Sequence, residues 1–190
     1  MKHVWKLALL ASLAAAPAAA QGQQQSSADP LTAALKRQFD GVSRNVREAA
    51  EKMPEDKYSY QATKDVRTFG AFVGHVANAH YMMCSRAKGE PNPNKEDFEK
   101  TSGKAALVKA ITASNEYCAS VFNSANDKWM LETVTQGQGQ NQMQVPRAAV
   151  LAGNTSHSNE HYGNLVTYMR INGLVPPSTE RAQQQRRPTP

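Results

Sequence analysis

The sequence predicts an all-α fold, an up-down four-helix bundle, in a chain made for export. Three observations carry this. Apolar residues recur at three- and four-residue steps in four segments, each segment has its own start and stop residues, and each is 18 or more residues long. The periodicity supplies an inward stripe on every helix, and four such stripes close one core.

The N-terminus comes first. Lys2 and Lys6 flank the apolar run Leu7 to Ala16, and Ala18-Ala19-Ala20 before Gln21 forms the small-x-small pattern that a signal peptidase reads, so residues 1–20 are expected to be removed. The run is too short for a permanent anchor, and no later segment approaches the roughly 20 apolar residues that spanning requires. The expected destination is the periplasm or the medium. Residues 21–28 carry a glutamine run without apolar residues and read as a flexible leader.

The first helix opens at Asp29-Pro30, an N-cap followed by proline at the first helical position. Leu31, Leu35, Phe39, Val42, Val46, Ala49 and Met53 form its stripe, and Pro54 stops it. Thr68 caps a second helix in which Phe69, Phe72, Val73, Val76, Ala79 and Met83 share a face, ended by Gly89 and Pro91. The third carries Leu107, Ile111, Ser114, Cys118, Val121 and Ala125 after a solvated stretch over 92–103. Residues 135–144, rich in Gln, Gly and Asn, read as a surface loop. Pro146 opens the fourth helix, which runs to Asn172, where Gly173 and Leu174 predict a Schellman stop before Pro176 and Pro177. The bundle thus spans residues 29–177, and residues 178–190 are expected to form a disordered tail.

Charge excludes one class of function. Removing Lys2, Lys6 and the tail charges Glu180, Arg181, Arg186 and Arg187 from the formal +6 leaves about +2, with no basic stripe and no groove-reading motif. A nucleic-acid partner is therefore not expected. Nor is a membrane anchor.

The two cysteines, Cys84 near the end of the second helix and Cys118 in the third, lie on or near the apolar stripes. Inside a cell they would read as small buried hydrophobes, but export and an even count predict a disulfide between them. Nothing local marks either thiol as catalytic.

After signal removal four histidines remain. His157 and His161 stand four residues apart on the fourth helix, so both rings point the same way, and Val150, Asn154, Leu165 and Tyr168 share that inward side. A metal ion would need a third ligand. His75 and His80 on the second helix are the candidates, and their five-residue spacing points them in different directions. His80 lies in the apolar stripe, where a hydrogen-bonded core histidine is the ordinary explanation. His75 lies at its edge beside Gly74, and the pattern alone leaves both open.

The stretch from Thr68 through Gly74-His75 to Ala79, together with His157-Ser-Asn-Glu-His161-Tyr162-Gly163-Asn164-Leu165, resembles the DinB-like family of four-helix metal-binding proteins. The likeness runs through all four helices in order, and Tyr168 to Pro177 resembles the family's exported branch. It implies a bundle of the DinB-like type in which one histidine of the second helix and a His-x-x-x-His pair on the last helix bind a divalent metal. Carried over by position, the ligands are His75, His157 and His161, with His80 structural. The implied cofactor is one divalent ion, zinc first, with nickel, iron or manganese as the other candidates. Three neutral imidazoles leave a fourth position open for water or substrate, and the resemblance implies thiol-dependent transfer or isomerisation, or hydrolysis, of a small molecule. Catalytic residues, substrate, oligomeric state, including a homodimer, and whether the chain catalyses anything or only binds metal are left open.

Two other readings compete. A helical binding or scaffold module without metal would use the same histidines as core filling. His157 to His161 with Glu160 between them also fits the inverted zinc-protease motif, but such enzymes take a downstream Glu as third ligand, and only Glu180 follows.

Overall fold

The structure, a computed structural model, describes residues 28–137 and 139–186. The expected signal peptide over 1–20, nearly all of the expected leader and the last four residues lie outside the described residues. The helices are α1 (Pro30–Lys52), α2 (Phe69–Lys88), α3 (Lys104–Ser124), the short α4 (Asp127–Leu131), α5 (Arg147–Ile171) and α6 (Pro177–Gln185), with strands β1 (Thr133–Gln136) and β2 (Met143–Pro146) before α5. None of the helices is long and apolar enough to cross a membrane.

Helices α1, α2, α3 and α5 make the four-helix bundle. α2 packs between α3 and α5, and α1 packs between the same two from the other side, so α1 and α2 sit on a diagonal. The predicted stripes are the buried ones: Phe39, Val42, Val46 and Ala49 on α1, Phe69, Phe72, Val73 and Val76 on α2, and Leu107, Ile111 and Val121 on α3. They form two apolar clusters along the bundle, one around Val46, Phe69, Ile111 and Leu165, the other around Phe39, Phe122, Met130 and Leu151. His80, Ser114, Asn154 and Ser158 are fully buried polar residues: the His80 ring meets the Ser158 and Ser114 hydroxyls, and Ser158 Oγ donates to the Asn154 backbone carbonyl.

The Cys84–Cys118 disulfide is present, joining α2 to α3 with Cα atoms 5.4 Å apart. The Asn154 amide donates toward both sulfurs at 3.5 and 3.6 Å.

Local signals set the helix ends. The Thr68 hydroxyl accepts from the Ala71 amide at 3.1 Å, and Gly89 takes the left-handed conformation (φ 76°) that closes α2. The Schellman stop of α5 forms through Gly173 N–H to the Arg170 carbonyl (3.0 Å) and Leu174 N–H to the Met169 carbonyl (2.9 Å), with Leu174 against the core. Asp29 occupies the N-cap of α1, but the caps are exchanged. The Asp127 carboxylate accepts from the Leu31 and Thr32 amides (3.1 and 2.8 Å), while Asp29 Oδ1 accepts from the Asp127 amide (3.0 Å).

Two expectations need correction. The stretch predicted as a loop over 135–144 connects two short strands and pairs at its two ends as an antiparallel hairpin, with Val134 opposite Val145 and Gln136 opposite Met143. Its anchor is Val134, buried on the second cluster just outside that stretch, and Gly137 and Gly139 supply positive-φ turn positions. The segment predicted as a disordered tail from 178 forms most of α6. It has no apolar stripe. It is held by ion pairs from Glu180 to Lys52 and Arg181 to Glu48, and by Tyr162 bonded to Ser178 (2.8 Å), a charge pattern to which apolar periodicity is blind.

Candidate metal centre

α2 and α5 are packed neighbours, and this brings His75 against the His157 and His161 pair. His75 Nε2 lies 3.0 Å from His157 Nε2, which lies 3.1 Å from His161 Nε2. One ligand atom from each of the three lies within 4.8 Å of the others. Around a tetrahedral zinc with bonds of about 2.0–2.1 Å, donor nitrogens stand roughly 3.4 Å apart, so the side chains need only small shifts to share an ion.

The second ring nitrogens show which lone pairs face inward. A carboxylate oxygen of Glu99 lies 2.5 Å from His75 Nδ1. A carboxylate only accepts, so His75 carries a proton on Nδ1, and in the neutral ring Nε2 is the nitrogen left bare toward the site. Arg67 Nε donates to the other Glu99 oxygen at 2.9 Å. Burial pushes the Glu99 carboxyl up, but Arg67 and His75 outweigh it and hold it below its usual range. His161 Nδ1 is 3.4 Å from the Asn164 amide, and its ring packs on Phe72 with centroids 5.5 Å apart.

Electrostatics favour neutral imidazoles. Burial, then the neighbouring His157 and His75, lowers His161 to about 4, and burial with His75 lowers His157 in the same direction. The lowered values of His157 and His161 favour the neutral imidazoles that a divalent ion requires as donors.

Glu99 is the site residue that sequence reasoning missed. It sits in the 3-10 turn Phe98–Lys100, inside the stretch read as merely solvated, and that turn lies directly on α2. Asn78 holds it there, its Oδ1 accepting from the Phe98 amide at 3.1 Å and its Nδ2 donating to Asp97 at 2.9 Å. Gly74 gives it room, since a Cβ at this position would stand 2.1 Å from the Phe98 carbonyl oxygen. Gly74 beside a candidate ligand was the available signal.

His80 takes no part in the cluster. It is fully buried, with Nε2 2.9 Å from Ser158 Oγ, and burial lowers it to about 3, as expected of a core histidine. Glu160 is exposed, and Glu180, the downstream carboxylate that the protease reading would need, is paired with Lys52 instead. A cleft of about 330 Å³ opens onto His75 and His157, walled by Asn78, Met82 and Asn94.

Comparison with known proteins bears on family and fold. The family model described as DinB superfamily matches residues 38–165. The chain belongs to the DinB superfamily. Among solved structures, a DinB-like protein from Bacillus cereus is similar at TM-score 0.64 and 14% identity, covering 75% of this chain and 93% of that one. A DinB-like protein from Bacillus subtilis follows at TM-score 0.59 and 22% identity, with 74% and 92% covered. A mycothiol-dependent maleylpyruvate isomerase is similar at TM-score 0.56 and 16% identity, covering 70% of this chain and 60% of that one. At these identities the likeness speaks for the fold. No curated protein matches the chain.

Proposed function

We propose that this DinB superfamily member is exported to the periplasm or medium, binds one divalent ion through His75, His157 and His161, and acts there on a small molecule. Zinc is the first choice of ion. The observation that carries the reading is the convergence of three Nε2 atoms from two packed helices, one of them fixed in tautomer by Glu99. The chemistry such an ion supplies when bound is Lewis acidity, which makes a coordinated water or thiol nucleophilic near neutral pH.

The chain's own residues prepare for this. Glu99 keeps the His75 proton on Nδ1, burial keeps His157 and His161 neutral, and Phe72 fixes the His161 ring. The cleft beside His75 and His157 admits a ligand of modest size. A thiol-dependent transfer, isomerisation or hydrolysis fits this arrangement, and the isomerase among the structural neighbours supports the thiol-dependent class.

The test is metal analysis of the purified mature protein with binding titrations on His157→Ala. The expected result is about one ion per chain, with affinity lowered by orders of magnitude in the variant. Metal bound with unchanged affinity in the variant would refute the site.

A further inference from the structure

The cleft beside the histidines has a neighbour. It shares Met82 and Asn92 with a second cavity of about 550 Å³, whose other walls are the end of α2 and the β1–β2 hairpin. Along α2, His75, Asn78, Met82 and Arg86 recur at three- and four-residue steps and so lie on one face. The combined groove runs from the histidines toward Arg86, eleven residues on, or roughly 16 Å along the helix axis.

Arg86 is the uncommitted cation of this groove. It is half-buried, and among the described residues its guanidinium makes no ion pair or hydrogen bond. The acid beside it, Glu90, is already paired with Lys88 at 2.7 Å. Lys95, on the wall of the first cleft, donates to the Asn92 carbonyl at 3.0 Å. Glu96, also in that cleft, and Glu90 at the far end oppose a ligand of high negative charge. The remaining walls near Arg86 are neutral: Ser85, Thr133, Thr135 and Gln144.

We propose that the groove is the substrate-binding channel of the histidine site, and that Arg86 anchors the carboxylate end of an elongated substrate whose reacting end lies at His75 and His157. A planar guanidinium matches a single carboxylate bidentately, whereas a phosphate site would gather further cations or free amides. The hairpin is then a wall of the channel. This inference rests on the reading of the three histidines as metal ligands.

The experiment uses zinc-loaded mature protein and a series of metal-binding probes, the monohydroxamates of dicarboxylic acids of increasing length, each compared calorimetrically with the uncharged alkyl hydroxamate of equal length. The acids are expected to gain roughly tenfold or more over their neutral partners at one intermediate length and nothing at the shortest. Arg86→Gln should abolish the gain while the neutral hydroxamates bind as before, and Lys95→Gln should leave it in place. No gain at any length, a gain that survives in Arg86→Gln, or a gain lost only in Lys95→Gln would overturn the assignment. Failure of the wild type to take up zinc would instead overturn the metal reading on which it stands.

Discussion

Gly74 touches the backbone of Phe98 so closely that any side chain at position 74 would collide with it. The contact seats Glu99 against His75. Gly74→Ala is therefore expected to push the 98–100 turn off α2 and break the Glu99 hydrogen bond. A loss of about 1–3 kcal/mol in stability from overpacking should accompany about a tenfold to hundredfold loss of metal affinity from the missing carboxylate support. Thermal melting and zinc titration on the one variant check both.

Glu99→Gln separates the two effects. The amide keeps the shape of the side chain but no longer dictates the His75 tautomer as a carboxylate does. Metal affinity should fall about tenfold to hundredfold while the melting temperature of the metal-free protein stays nearly constant. An unchanged affinity would remove Glu99 from the site.

The two histidines of α2 should respond in opposite ways. His75→Ala should lose metal by orders of magnitude. His80→Gln should keep it and lose stability, by about 0.5–3 kcal/mol, since its ring fills the core against Phe39 and Ser158. Metal content and melting temperature of both variants, measured side by side, decide the matter.

The metal-free protein should weaken in acid. Unfolded histidines titrate near their ordinary value of 6.5, whereas folding lowers His80 to about 3 and His161 to about 4, chiefly through burial. Between these values the unfolded chain binds the extra protons, so stability is full above about pH 6.5 and falls as the pH drops toward the folded values. For the fully buried His80 the slope reaches at most about 1.4 kcal/mol per pH unit, and His161, which is partly open to the cleft, adds less. Urea unfolding at pH 7 and pH 5 should show the loss, and His80→Gln should flatten it.

Reduction tests the bridge. Closing a loop of 34 residues between Cys84 and Cys118 stabilises by about 4 kcal/mol on the chain-entropy account. The Cys84→Ala, Cys118→Ala double variant should melt well below the wild type, and a reducing agent should shift only the wild type.

Much of this was legible because one physical rule dominates a bundle. Inward stripes such as Phe39 to Ala49 and Phe69 to Val76 must repeat at the helical period, and His157 and His161 reveal their shared face by spacing alone. The choice of His75 over His80 came from family likeness. It was not readable from pattern, because what separates them is which neighbour each meets across the bundle: Ser158 for one, His157 for the other. Glu99 was hidden for a similar reason, since a polar turn gives no periodic signal that it folds back onto a glycine. The hairpin and α6 escaped because each is held by few contacts, Val134 in one case and the ion pairs to Lys52 and Glu48 in the other.

The exchanged caps of Asp29 and Asp127 tie the two ends of a long stretch of chain into one knot of hydrogen bonds. Each carboxylate satisfies amides at the start of the other's helix, so neither helix end can fray alone without stranding donors on both. In hydrogen exchange, the first turn of α1 and the start of α4 should open as one event rather than two. The lip of the hairpin, which follows α4 directly, thereby inherits its footing from residues nearly a hundred positions earlier.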